Sequence, residues 1–255
     1  MLQNIRLERI MDVLIQEKAV DIQTLATYLG VTPKTVRLDL EKLENAHFLK
    51  RVHGGAILPN QTNTVPLHFQ RDENLPKKAL IARKALEMLH EGDVVLLDDG
   101  STSLELAKLL GGVNLTVLTN DVFIINELMD KPNIDLYVIG GSLKRNHGRY
   151  VITGEDSIQF IRKYRVNKLF LGISTIDTED GLMIFYYGDR STKRAFMAAA
   201  DEVICLADSS KFSRTAFTRV AGVSELDTII TDSGLPEEEA VRYRTLGIRV
   251  IYADK

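Results

Sequence analysis

Tryptophan is absent from this chain and cysteine occurs once, at position 205. A lone thiol cannot close an internal disulfide, so the small disulfide-stapled domains are excluded. Cys205 lies in the apolar run Val203–Ala207 and reads as a small buried residue rather than a reactive thiol. Long apolar stretches are missing as well: none approaches the ~18 residues that a membrane helix requires. Met1 to Arg9 place charges early, where a secretory leader would carry its apolar core. A cytoplasmic protein is expected. The five histidines, at 47, 53, 68, 90 and 147, stand singly without ligand spacing, so neither a metal nor a cofactor is expected.

Nor does either sign of charge dominate. Lys and Arg total 32 against 35 Asp and Glu, a net of −3, which argues against a uniformly basic nucleic-acid coat and leaves room for a local DNA-binding surface. With 45% apolar and 26% charged residues over 255 positions, the composition is that of a folded chain of one or two globular domains. Residues 1–58 carry three helical periodicities and a short basic hairpin, with eight Lys/Arg against seven Asp/Glu. Residues 76–255 alternate apolar runs with helical patterns, which predicts an open, mainly parallel α/β sheet. Residues 59–75 read as a linker, because Pro59–Pro66 is polar and bracketed by prolines.

Within the first part, Leu7, Ile10, Met11 and Leu14 form the stripe of an amphipathic helix. Asp21 can cap a second helix carrying Ile22, Leu25, Ala26 and Leu29, and Gly30 stands where a left-handed turn residue should end it. Thr32 then caps a third helix with Pro33 at its first position. Two short helices joined by a turn at Gly30-Val31 make a helix-turn-helix, whose later helix would read the major groove. At ~100° per residue, Val36, Leu40 and Leu43 share one arc that faces the core, while Lys34, Arg37, Leu38 and Glu41 point away. Leu38 is either a tolerated surface leucine or a contact for a thymine methyl or sugar. Thr32, Lys34 and Thr35 lie in the first turn, where hydroxyls and backbone N–H groups can meet phosphate. The alternating segment Phe48–Ile57, turning at Gly54-Gly55, suggests a two-stranded wing carrying Lys50, Arg51 and His53 toward the DNA backbone.

The run Thr35-Val36-Arg37-Leu38-Asp39-Leu40, followed by Leu43-Glu44 and Leu49–Ala56, resembles the winged helix-turn-helix signature of DeoR-type bacterial transcription regulators. That family usually carries a second arginine before the aspartate, where this chain has Leu38. The resemblance implies double-stranded operator DNA as the partner, and it gives Asp39 the task of holding Arg37 or a wing residue in place. So few cations imply modest affinity per subunit, and a homodimer or homotetramer reading paired half-sites is expected.

In the second part, strands are expected at Val94–Leu97, Leu115–Leu118, Leu136–Ile139, Leu169–Leu171, Val203–Ala207, Thr228–Thr231 and Arg249–Tyr252. The first ends at Asp98-Asp99-Gly100-Ser101-Thr102-Ser103, ahead of a helix beginning near Leu104. Such a loop either presents N–H groups and hydroxyls to an anion or merely caps its helix. Repetition favours the anion: Thr119-Asn120, Gly140-Gly141-Ser142, Gly172–Thr175 and Asp208–Lys211 end the next strands, at the ligand crevice of open α/β sheets. Lys211 is the candidate phosphate cation there, and Lys193, opening another helix, a second anion partner.

This half resembles the DeoR effector domain, which is similar in fold to ribose-5-phosphate isomerase. The fold class expected for the chain is therefore α/β, an N-terminal winged helix-turn-helix domain followed by a larger open α/β sheet domain. The resemblance implies a phosphorylated sugar or polyol as effector, with Asp98, Gly100, Ser101, Thr102, Thr119, Asn120, Gly141, Lys193 and Lys211 as candidate contacts. Where the isomerases carry an aspartate motif this chain has Gly172–Thr175, and their glutamate falls at Lys193, so binding without turnover is implied. A repressor of a carbohydrate-utilisation operon is the expected function. Asp98, Asp99 and Asp177 remain near the crevice, which keeps an isomerase-like enzyme with a DNA-binding head as the alternative.

Overall fold

The computed structural model describes residues 3–45, 49–57, 74–146, 149–185 and 187–254. Most of the expected linker, and Phe48 at the start of the expected wing, lie outside them.

The head opens with α1 (Gln3–Glu17), β1 (Ala19–Asp21), α2 (Ile22–Leu29) and α3 (Pro33–Asn45). Each boundary has a local cause. Asp21 Oδ1 accepts the Thr24 N–H at 2.9 Å and starts α2. Gly30 ends it at φ +64°, a conformation costly for any side chain. Thr32 Oγ1 accepts the Thr35 N–H at 3.2 Å and starts α3. Leu7, Ile10, Leu14, Leu25, Leu29, Val36, Leu40 and Leu43 are buried together as one core.

Strands β2 (Lys50–Val52) and β3 (Gly55–Ile57) form the expected hairpin, but the sheet has three strands, ordered β1-β3-β2. β1 is only Ala19-Val20-Asp21 between two helices, too short to register as a strand period. Gly55 makes the pairing possible. A Cβ there would stand 2.1 Å from the Val20 carbonyl oxygen, so a side chain would force β1 and β3 apart.

The second part is built on a seven-stranded parallel sheet ordered β15-β14-β12-β9-β4-β5-β6. Its strands are β4 (Val94–Leu97), β5 (Leu115–Thr119), β6 (Ile134–Val138), β9 (Val166–Leu171), β12 (Ala200–Leu206), β14 (Thr228–Thr231) and β15 (Arg249–Tyr252). Alternate residues face opposite layers. Val95 and Leu97 join one core with helices α4 (Leu75–Leu86), α5 (Ser101–Leu109) and α6 (Val122–Leu128). Leu96 joins the other with α7 (Glu155–Ile161), α8 (Arg190–Ala199) and α9 (Glu237–Thr245). Cys205 is fully buried in that second core, and desolvation pushes its thiol up to about 12.

Two elements have no counterpart among the expected strands: the hairpin β7 (Ser142–Asn146)–β8 (Arg149–Thr153), and a small sheet ordered β10 (Thr175–Asp177), β11 (Gly181–Ile184), β13 (Thr218–Ala221). β7 is Ser-Leu-Lys-Arg-Asn, with no apolar run to betray it. α5 begins at Ser101 rather than Leu104, because Ser and Thr serve inside its first turn. β6 begins two residues earlier than its apolar run suggests. No helix among the described residues is long and apolar enough to cross a membrane.

From β4 the sheet grows through β5 to β6, returns to place β9 on the other side of β4, and continues outward through β12, β14 and β15. The strand order therefore reverses between β4 and β9, the point where open α/β sheets hold their ligands.

Gly55→Ala should destabilise the chain on the order of 1–3 kcal/mol by forcing β1 off β3. Urea unfolding followed by circular dichroism measures this, and an unchanged midpoint would show that the strands separate freely.

Candidate functional site

The head presents its expected face. Lys34, Arg37 and Leu38 of α3 are exposed, Leu38 to 52% of its surface, while Val36 and Leu40 beside them are buried. Thr32 and Thr35 share a hydroxyl–hydroxyl contact of 3.0 Å at the helix start, with Thr32 exposed and Thr35 half-buried. Lys50, Arg51 and His53 are exposed on the wing. Arg51 is also committed within the protein: its N–H donates to Glu44 Oε1 at 2.7 Å and its guanidinium to Oε2 at 2.6 Å, which clamps the wing to α3.

One expectation for the head is corrected. Asp39 is fully buried and pairs with Arg6 of α1, through Nε and through Nη2 at 2.9 Å, rather than with Arg37 or the wing. An acid buried beneath α3 needs a cation from the same core, and α1 is the neighbour that supplies one. Hydrogen bonding to Asp39 holds the Arg6 guanidinium more firmly charged than usual.

At the reversal between β4 and β9, the structure gathers a buried ionic cluster. Asp98 and Asp99 follow β4, and Gly172 follows β9. A Cβ on Gly172 would stand 2.5 Å from the Asp99 carbonyl oxygen, so glycine alone lets these strand ends touch. The Gly172 N–H then donates to Asp98 Oδ2 at 3.0 Å. Lys193, in the first turn of α8 and only 4% exposed, donates to Asp98 Oδ2, to Asp99 Oδ1 at 3.0 Å and to the Gly172 carbonyl at 3.0 Å. The expectation of Lys193 as an available anion partner is thereby corrected: its three ammonium protons are engaged inside the protein.

Beyond Lys193, Arg149 of β8 donates to Asp99 Oδ2 through both Nε (3.2 Å) and Nη2, and to Asp189 through Nη1 at 2.7 Å. The two carboxyls at the strand end respond in opposite directions. Burial pushes Asp98 up to about 7, with the like charge of Asp99 adding to the effect and Lys193 opposing it. Burial acts on Asp99 as well, but Arg149 and Lys193 together hold it well below the usual carboxylate range. Lys193 and Arg149 stay charged despite burial because their acid partners outweigh the desolvation.

Around this cluster sit polar atoms that are buried and lack a hydrogen-bond partner among the described residues. They are Asp98 Oδ1, Ser103 Oγ in the first turn of α5, Asn120 Oδ1 beyond β5, Thr175 Oγ1 on β10 and Thr192 Oγ1 in the first turn of α8. Each such group costs about 1–3 kcal/mol when left unpaired. Gly100, at φ +151°, leads into α5 without a side-chain cap. The first N–H groups of α5 at Ser101, Thr102 and Ser103 therefore lack the usual capping oxygen.

The remaining candidates divide. Thr119 Oγ1 accepts the Asp121 N–H at 3.2 Å, and Asn120 Nδ2 donates to the Ile152 carbonyl at 3.0 Å, so both support the crevice wall. Gly141 is a packing position, since a Cβ there would stand 2.4 Å from Ser157 Oγ. Asp177 caps a turn by accepting the Glu179 and Asp180 N–H groups at 2.8 and 3.1 Å, and it does not join the cluster. The Lys211 loop is tied to α4: Lys77 donates to Ser209 Oγ at 2.8 Å and pairs with Asp232 at 3.0 Å. Lys211 is half-buried, and its ammonium has no ion pair among the described residues. Sequence reasoning misses Arg149, Asp189, Lys77 and Asp232; the only signal for the first is an arginine opening an otherwise apolar run, Tyr150-Val151-Ile152.

Two family models match the chain. A model described as the DeoR-like helix-turn-helix domain matches residues 6–62, and one described as the DeoR C-terminal sensor domain matches residues 73–233. The HTH-type transcriptional repressor GlcR of Bacillus subtilis is 36% identical over 91% of this chain and 89% of its own length. The glycerol-3-phosphate regulon repressor of Escherichia coli is 33% identical over 92% and 93%, respectively. An L-fucose operon activator of Haemophilus influenzae is 34% identical over 92% and 94%. Among solved structures, a ribose 5-phosphate isomerase from Methanocaldococcus jannaschii overlaps 55% of this chain and 56% of its own at 18% identity, with a TM-score of 0.41.

The Asp98 carboxyl has a folded pKa above the unfolded value of about 3.9. It therefore favours the fold most at pH below that value, and progressively less as pH rises toward 7. Asp98→Asn removes this decline, so melting temperature measured from pH 4.5 to 7.5 should show the variant gaining on the parent as pH rises. A variant that loses ground to the parent over that range would reverse the assignment.

Proposed function

The chain belongs to the DeoR family, and on that premise we propose that it is a cytoplasmic DNA-binding transcription repressor whose α/β domain binds a phosphorylated sugar or polyol. The observation that carries the reading is the set of unpaired buried polar atoms around Asp98, at the reversal of strand order. The phosphate is assigned to the uncapped start of α5, at Gly100, Ser101 and Thr102, with Lys211 as its cation. The hydroxyls are assigned to Asp98 and the crevice wall at Asn120. Lys193 shapes the acid pair rather than touching the phosphate. On the head, Thr32, Lys34, Thr35, Arg37 and Leu38 meet the groove, while Lys50, Arg51 and His53 meet the backbone. The Bacillus subtilis and Escherichia coli relatives, both named repressors, support repression, and the glycerol-3-phosphate regulon named for the second supports a phosphorylated polyol as the signal. Operator binding by a homodimer or homotetramer follows from the small cationic face.

A second reading, a sugar-phosphate isomerase with a DNA-binding head, draws on Asp98 alone. Its Oδ1 is unpaired, and its carboxyl titrates near neutrality, as a proton-shuttling base requires. Turnover of pentose or hexose phosphates above ~1 s⁻¹, the low end of ordinary enzyme rates, would favour it.

Thermal-shift screening against glycerol 3-phosphate and a panel of sugar phosphates tests the first reading. A ligand at a hundred times its Kd should stabilise the fold by about 2.7 kcal/mol. Lys211→Ala should abolish the shift, and an undiminished response would remove Lys211 from the site. Arg37→Ala should weaken binding to a duplex enriched from a random pool by about 1–3 kcal/mol while leaving the thermal shift intact. Equal affinity of variant and parent in gel-shift titration would refute that contact.

A further inference from the structure

Three large apolar side chains stand exposed on the described part of the head: Tyr28 of α2, Leu38 of α3 and Val52 of the wing. Tyr28 and Val52 line one groove between α1, β1 and the turn of the wing, to which no residue of α3 contributes. Leu38 belongs neither to that groove nor to the head's core.

The rotation of α3 that exposes Leu38 is fixed from beneath. Asp39, the next residue, is buried and held by Arg6 of α1, and Val36, Leu40 and Leu43 lie in the core. Glu44 is tied to the wing through Arg51. The helix therefore cannot roll to cover the leucine without burying Lys34 or Arg37 and exposing Asp39 or Leu40. At ~100° per residue, Lys34, Leu38 and Glu41 fall within one arc of ~60° on the outward side, with Arg37 at its edge. All four are exposed. Leu38 occupies the middle of this stripe, and it is the one member that can neither donate nor accept a hydrogen bond.

A recognition helix sets the outward residues of its first turns against base edges, while cations beside it meet the phosphates. In the major groove those edges present donors and acceptors, and the 5-methyl group of thymine is their apolar feature. Leucine over a polar edge would desolvate that edge without pairing it. Over the thymine methyl, it removes apolar surface from water on both partners.

We infer that Leu38 is a specificity-determining residue that selects thymine, its side chain packing on the 5-methyl group of one thymine in each operator half-site. The inference rests on the groove-facing role proposed above for α3, and it adds the base that the helix reads.

Deoxyuridine tests this, because it lacks that methyl and keeps every hydrogen-bonding group of thymidine. The full-length protein would be titrated at fixed salt against the duplex it enriches from a random pool, and against copies with each thymine replaced in turn by deoxyuridine. The parent should lose about fourfold in affinity at one thymine position of each half-site, the worth of burying one methyl group. At that position 5-methylcytosine should bind better than cytosine by a similar factor, since it restores the methyl without the thymine edge. Leu38→Gln keeps the length and helix propensity of the side chain and removes its apolar end. In this variant the deoxyuridine penalty at that position should fall below about 1.5-fold. Its melting temperature should stay close to the parent's, because Leu38 packs in no core. Deoxyuridine tolerated at every position overturns the inference, and so does a penalty that persists in Leu38→Gln. Equal weakening of Leu38→Gln on duplexes with and without the methyl assigns the leucine to the sugar instead and overturns it as well. Should the variant fold poorly, the parent's own response to deoxyuridine and 5-methylcytosine decides. If no duplex is enriched, the DNA-binding reading itself fails and takes this inference with it, an outcome distinct from a bound duplex that is indifferent to the methyl.

Discussion

A lysine ammonium held between two aspartates fixes the centre of the sensor half. Lys193 comes from a helix start, Asp98 and Asp99 from the end of one strand, and Gly172 from the end of its neighbour. These are the two strands on either side of the reversal, so the cluster locks the two wings of the sheet at their seam. Such a cluster is a poor source of net stability, because desolvating its ions consumes most of the Coulomb attraction. Its value is positional. Removing either sign leaves the other buried without compensation, so the strand ends are held in one arrangement.

Opposite charges are also nearly balanced within that seam. Lys193 and Arg149 face Asp98, Asp99 and Asp189, so the cluster carries no excess positive charge while every acid is ionised. The intermediate titration of Asp98 moves that balance toward neutrality. The polarity of the seam therefore lies in directed groups, the hydroxyls and amides at the strand ends and the start of α5, rather than in a bulk field.

What the sequence discloses is whatever depends on near neighbours. Asp21, Gly30 and Thr32 announce the ends of α2 and α3 because a cap and its helix lie within a few positions. Leu38 is legible as exposed because rotation around one helix sets it opposite Val36, Leu40 and Leu43. The parallel sheet follows from apolar runs such as Val94–Leu97, buried by layers on both sides. What stays hidden depends on distance along the chain. Arg6 reaches Asp39 across 33 positions, and Arg149 reaches Asp99 and Asp189 across 50 and 40. No local period encodes such pairs, and Arg149 merely opens the strand Arg-Tyr-Val-Ile-Thr, whose pattern says nothing of distant acids. Lys193 stands out in the sequence but reads there as a free charge, since only the folded chain brings its three acceptors together.

The grip of Glu44 on Arg51, through backbone and guanidinium alike, makes the wing and α3 a single rigid mould. The freedom those loops would otherwise surrender at a groove is already surrendered on folding, which lowers the entropic cost of docking. A mould of that kind brings helix and wing to the duplex together, as one surface.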